Sequence, residues 1–186
     1  MNFHKSFEKM GLALLFLTWA SVLPYPVAAQ NATPTPAGEP ALQLLQSKGG
    51  GFSIQMPGTP KMTSQAVTTD AGPVSLFMYT SQTPSAVYMV GYNDYPKDLV
   101  KQSDQDHLKG ARDGAVKNTN STLASDSPIS LNGFAGRAFT AKTAAMFLDA
   151  HVFFKNSRLY QVVVVHELNA VAKSRDAFMN SFKIGQ

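Results

Sequence analysis

Asp149, His151 and His166 have the side-chain types and spacing to do chemistry. Two imidazoles and a carboxylate can hold a divalent metal or hydrogen-bond a polar ligand. All three belong to one segment, Met146 to His166, which reads MFLDAHVFFK, then Asn156-Ser157, then RLYQVVVVH. Two runs rich in Val, Phe and Tyr around a two-residue polar break predict a β-hairpin. In that register Lys155 faces Arg158, Phe153 faces Tyr160, His151 faces Val162 and Phe147 faces His166. Asp149 falls opposite Val164, so His166 is its diagonal neighbour at roughly 7–8 Å between backbones. A slip of one residue would scatter the three, because strand side chains alternate. The competing reading makes both histidines half-buried residues satisfied by Asp149, backbone or water.

A second set is Tyr88, Tyr92 and Tyr95 with Asn93 and Asp94, which could rim a ligand pocket at a strand end. Tyrosines placed there also pack and hydrogen-bond locally without any ligand. Lys101, Lys109, Arg112 and Lys117 could form a basic docking surface, but Asp104, Asp106 and Asp113 dilute it into an ordinary solvated helix face. Nucleophilic catalysis finds no support: there is no Gly-x-Ser-x-Gly elbow, and Gly49 to Gly51 precede a strand rather than opening a helix as a phosphate loop does. The chain has no cysteine, which excludes thiolate zinc sites, iron–sulfur clusters, cysteine nucleophiles and disulfides. The residues therefore point away from an enzyme and to no cofactor beyond a divalent metal at the trio.

The elements that must position these residues follow a leader. His4, Lys5 and Lys9 precede an apolar run of 14 residues, Met10 to Leu23, and then Val27-Ala28-Ala29. That pattern is a secretory signal with cleavage expected after Ala29; the run is shorter than the roughly 20 residues of a membrane span. Removing residues 1–29 takes out Lys5, Lys9 and Glu8, a net +1, so the formal charge falls from +4 to +3. Such a small, dispersed charge does not imply a nucleic-acid partner. Residues 30–50 read as a flexible linker rich in Asn, Thr, Pro and Gly, within which Ala41 to Lys48 is a short helical turn or an early strand.

One domain is expected from Gly51 to Gln186. Strands are predicted at Gly51–Met56, Lys61–Thr69, Val74–Thr80 and Ala86–Tyr92, separated by Pro, Gly and Asp turns. Ser103 caps a helix running to about Lys117, with Asp104 and Asp106 in its first turn. A short strand interrupted by Pro128 is expected within Thr122–Leu131, and another at Arg137–Lys142, which leads into the hairpin. Asn169 caps a last helix from Ala170 to about Phe182, with Val171, Ser174, Phe178 and Phe182 on one stripe and Lys173, Arg175 and Asp176 facing away. The hairpin face of Leu148, Ala150, Val152, Phe154, Leu159, Val163 and Val165 is the surface expected to receive that helix. Strands, helix, strands and helix give α+β with one antiparallel sheet.

Several phrases together resemble the PsbP-like family: GFSIQMPGTP from Gly51, YMVGYNDYP from Tyr88, NGFAGRAF from Asn132, RLYQVVVV from Arg158 and FMNSFKI from Phe178. That family includes extrinsic photosystem II subunits and bacterial envelope proteins, and shares its fold with Ran-binding Mog-type factors. The resemblance covers Gly51 to Ile184 and implies a single antiparallel sheet flanked by helices on both faces. It transfers no catalytic residue, since members of the fold act as binding or assembly modules. The expected function is thus an exported, non-catalytic binding or assembly module in the periplasm or outside the cell, acting on a protein partner or small ligand. A photosystem II-associated subunit of the thylakoid lumen is the alternative, with an unrecognised hydrolase behind it.

Overall fold

The computed structural model describes residues 39–69, 72–96, 103–170 and 172–185. The expected signal segment and the first part of the expected linker lie outside these residues. Within the remainder of that linker, Leu42–Ser47 forms β1, so of the two options for this stretch the strand is observed.

Seven strands make one antiparallel sheet: β3 (Lys61–Thr69), β4 (Gly72–Gln82), β5 (Ala86–Asp94), β6 (Thr122–Leu131), β7 (Phe134–Lys142), β8 (Met146–Lys155) and β9 (Arg158–Glu167). Their spatial order is β3-β4-β5-β9-β8-β7-β6. Two meanders, β3 to β5 and β6 to β9, thus meet along one seam between β5 and β9. The predicted hairpin is β8–β9 in the expected register, with Lys155 against Arg158, Phe153 against Tyr160 and Phe147 against His166. Its turn residues Asn156 and Ser157 have φ of 50° and 68°, the left-handed pair that matches strand twist in a two-residue loop. β9 lies in the middle of the sheet, and its near-continuous apolar run is buried on both faces. Pro128 is accommodated because β6 is an outer strand, where a missing N–H costs no inner ladder bond.

The helix α1 (Asp104–Asn118) starts where expected, with the Ser103 hydroxyl accepting from the Asp106 N–H at 3.2 Å. Leu108, Ala111 and Ala115 bury its stripe against Phe139, Ala141, Leu148, Ala150, Val152, Phe154 and Leu159. It is therefore α1, and not the C-terminal helix, that covers the largely apolar face of the hairpin, on which Gln161, paired with Val152, is the buried polar exception. The opposite face is covered by β1, β2 (Phe52–Pro57) and β10 (Lys183–Ile184), which form a separate three-stranded sheet, together with α2 (Arg175–Asn180). Phe178 and Phe182 pack there on Tyr88, Phe153, Tyr160, Val162 and Val164.

The expected α+β fold with a single sheet and helices on both faces is accordingly corrected. Among the described residues there are ten strands in two sheets and two helices, six residues long in the case of α2. Gly51 with φ 66° turns the chain back after β1, so Phe52, Ile54 and Met56 enter the second core from their own small sheet instead of extending the meander. The last helix was expected from Ala170; it begins at Arg175, and Ser174 just ahead of it gives its N–H and hydroxyl to Glu39, as described below.

Candidate functional site

Asp149 stands on β8 with its side chain 7% exposed, on the face opposite α1. Its neighbour across the ladder is Thr140 of β7, whose hydroxyl donates to Oδ1 at 2.6 Å. Arg175, the first residue of α2, donates from Nε to Oδ2 at 2.6 Å. His166 of β9 brings Nε2 within 3.3 Å of Oδ2, the diagonal contact that the hairpin register predicts. The other ring nitrogen, Nδ1, is 2.9 Å from the Glu167 carbonyl. Both imidazole partners are acceptors, and a neutral ring can donate to one of them only.

Burial pushes the Asp149 carboxyl up, but hydrogen bonds from Arg175 and Thr140 and the charge of Arg175 outweigh it and hold the group below the usual carboxylate range. Asp149 is thus a fixed anion. His151, two residues along the same strand face, lies edge-on to Phe153 with ring centroids 6.4 Å apart. Burial and the charge of Arg175 push the His151 imidazole down, against the pull of Asp149, so the ring is neutral near pH 7.

The hairpin therefore brings Asp149 and His166 together as expected, but the third polar partner of the carboxylate is Arg175 rather than His151. The Arg175 guanidinium shares Oδ2 of Asp149 with His166. Among the described residues no group of three or more His, Cys, Asp or Glu side chains is arranged to hold a metal ion. In the longer helix that the sequence predicts, Arg175 falls on the solvent stripe. At the start of a shorter one it reaches back to the sheet instead. Thr140 was within reach of sequence reasoning, since continuing the β7–β8 register places it opposite Asp149.

The tyrosine set does not line one pocket. Tyr88 is fully buried beneath α2, edge-on to Phe178 at 5.3 Å, with its hydroxyl donating to Glu39 at 3.3 Å. Tyr92 stacks on Phe77 at 4.9 Å, and the Arg158 guanidinium sits 4.7 Å over its ring. Asp94 accepts two hydrogen bonds from Arg158, at 2.5 and 2.7 Å. Tyr95 lies on the other face, between His107 and Phe154, where burial pushes its hydroxyl well up. Arg158 is the residue the sequence reading missed here: beyond Asp94 it donates to the carbonyls of Gly49 and Gly50 at 2.9 and 3.0 Å.

Of the basic set on α1, Arg112 is consumed by ion pairs to Asp113 and Asp126; Lys101 lies outside the described residues. An open hollow of ≈ 360 Å³ against β3 and β4 is lined by Thr63, Ser64, Gln65, Leu76 and Met78, none of them titratable.

With this geometry in place, the architecture is that of the PsbP-like fold. The chain is similar to the solution structure of cyanobacterial PsbP (CyanoP) from Synechocystis sp. PCC 6803, with a TM-score of 0.56 at 10% identity, over 83% of this chain and 98% of that one. A second similarity, at 9% identity and a TM-score of 0.41, is to a protein of unknown function, PA94 of Pseudomonas aeruginosa, described as a putative regulator; it covers 73% of this chain and 90% of that one. No family model and no curated protein matches the sequence. Among the described residues no helix is long and apolar enough to cross a membrane.

Proposed function

We propose that the protein is an exported, non-catalytic accessory module that docks on a protein partner through the polar end of the hairpin, around His151, His166 and Arg175. The observation that carries this reading is the closure of the Asp149 network. The carboxylate spends its acceptors on Thr140, Arg175 and His166, which leaves a fixed pattern of charge and hydrogen-bonding groups on a partly exposed patch of the sheet face, with Arg175 outermost, rather than a poised acid, base or nucleophile. The PsbP-like fold supports an accessory role, and the basic, apolar and small-residue succession of residues 4–29 supports export.

The test is affinity purification of the tagged full-length precursor, expressed in its own host, with wild type and His151→Glu compared. One partner retained in stoichiometric amount by wild type and lost at least about tenfold by the variant is the expected result. Retention of nothing, or equal retention by both, would overturn it. The likeness to cyanobacterial PsbP favours one particular setting, a photosystem II-associated subunit; co-purification with thylakoid membranes would select that setting over other envelope partners.

A further inference from the structure

The carboxylate of Glu39 is held by four donors from three residues in two separate parts of the body. Ser85, just ahead of β5, donates its hydroxyl to Oε1 at 2.5 Å, and Tyr88 of β5 donates to the same oxygen at 3.3 Å. Ser174 supplies both its backbone N–H, at 2.9 Å, and its hydroxyl, at 2.7 Å, to Oε2. All four donors are neutral, and together they address both oxygens of one planar group. They overcome the effect of burial and lower the Glu39 carboxyl below its ordinary value. Tyr88 is fixed by burial and by Phe178, so its hydroxyl is aimed before any acceptor arrives. Ser174 makes no side-chain cap bond to its own helix; its hydroxyl is turned to the carboxylate instead.

The occupant is attached differently from the cradle. Ser85, Tyr88 and Ser174 belong to the main body, whereas Glu39 precedes β1 and is joined to the body nearby by the Gly58 N–H donating to the Ala41 carbonyl at 3.0 Å. Withdrawing it breaks no strand pairing in either sheet. It would leave the Tyr88, Ser85 and Ser174 donors without the carboxylate they converge on, a state that favours capture of another carboxylate.

We propose that Ser85, Tyr88 and Ser174 form a binding site for the glutamate side chain of an acidic peptide, and that Glu39 is its tethered occupant. The chain's own Glu39, followed by Pro40 and Ala41, shows the kind of ligand: a peptide presenting a glutamate. The short tether gives Glu39 an effective concentration in the millimolar range or above, so a free peptide competes poorly while it is present. This proposal stands apart from docking at the hairpin end, and either can fail alone.

The test follows backbone amide NMR signals of the full chain and of Glu39→Ala as blocked Gly-Glu-Pro-Ala or Gly-Gln-Pro-Ala is added. The glutamate peptide should give saturable shifts at Ser85, Tyr88 and Ser174 in the variant, at least about tenfold weaker in wild type. The glutamine peptide should not, and Ser174→Ala in the Glu39→Ala background should abolish the response. A folded variant with no saturable shift, or with equal responses to both peptides, overturns the proposal. Should Glu39→Ala not fold, Glu39→Gln takes its place with the same outcomes. If neither folds, recovery of the fold in acetate but not in chloride supports the site, and no recovery overturns it.

Discussion

The two ends of the β8–β9 hairpin each carry an arginine–carboxylate pair, built in opposite senses. At the open end the carboxylate is buried and the arginine faces water: Asp149 is 7% exposed and Arg175 39%. At the turn end the arginine is the more enclosed partner, with Arg158 24% and Asp94 56% exposed. Arg158 also has the carbonyls of Gly49 and Gly50 and the ring of Tyr92 to hold it. Burial of one partner alone thus decides which substitution matters. Removing the exposed partner strands a charge at the open end, whereas at the turn end it leaves the arginine still bonded.

The largest effect should come from Arg175→Ala, which leaves Asp149 as a buried anion with Thr140 and His166. We expect a loss of about 2–3 kcal/mol, below the ~3–5 of a fully enclosed pair because much of the guanidinium is in water. Urea denaturation would show it, and Asp149→Asn in the same chain should restore part of the loss. Strict additivity of the two changes would break the contrast between the ends. Arg158→Ala comes next, at about 1–3 kcal/mol, since the Gly49 and Gly50 carbonyls each lose a charged donor while Gly50 keeps the Tyr160 hydroxyl at 2.9 Å.

Acid should sharpen the same comparison. Asp149 is held below its unfolded value of about 3.9, so its stabilisation is present above that pH and is lost as pH falls through the folded value. His151 is also lowered, and for a histidine this means the unfolded chain takes up protons first, from about pH 6.5 downward, costing stability in that window. The slope of stability against pH below about 6.5 should therefore flatten in His151→Gln, as read from melting temperature across a pH series. Asp94→Ala should be the mildest change, about 0.5–1 kcal/mol, because an exposed, solvent-screened partner is lost and Arg158 stays anchored. A loss matching that of Arg175→Ala would erase the distinction.

The same two ends show how far the sequence could be read. The register of the hairpin follows from Asn156-Ser157 and from strict alternation, so the contact of His166 with Asp149 was legible before any coordinates. What covers each face was not. Both hairpin faces are apolar enough to be buried, and the modest stripe of Leu108, Ala111 and Ala115 gave no reason to prefer α1 over Phe178 and Phe182. Nor does local pattern reveal that a serine ahead of a helix will bind a carboxylate 135 residues away, or that an arginine will lock onto a glycine-turn carbonyl 109 residues distant. Those are properties of the assembled layers. The PsbP-like resemblance was legible in short phrases, yet the small second sheet was not, because Phe52, Ile54 and Met56 alternate in the same way whether they extend the meander or fold over it.

The seam between β5 and β9 sets the order in which this chain can assemble. Asp94 and Arg158 face each other across it although 64 residues separate them. The flanking hairpins close over short turns and can form in microseconds, whereas joining the two meanders must first overcome the entropy of closing that long loop. Zipping of the central ladder is therefore the slow step, which places folding in the millisecond-to-second range of non-local β topologies. Until it is complete, the valine-rich inner edge of β9 stands open as an unpaired strand.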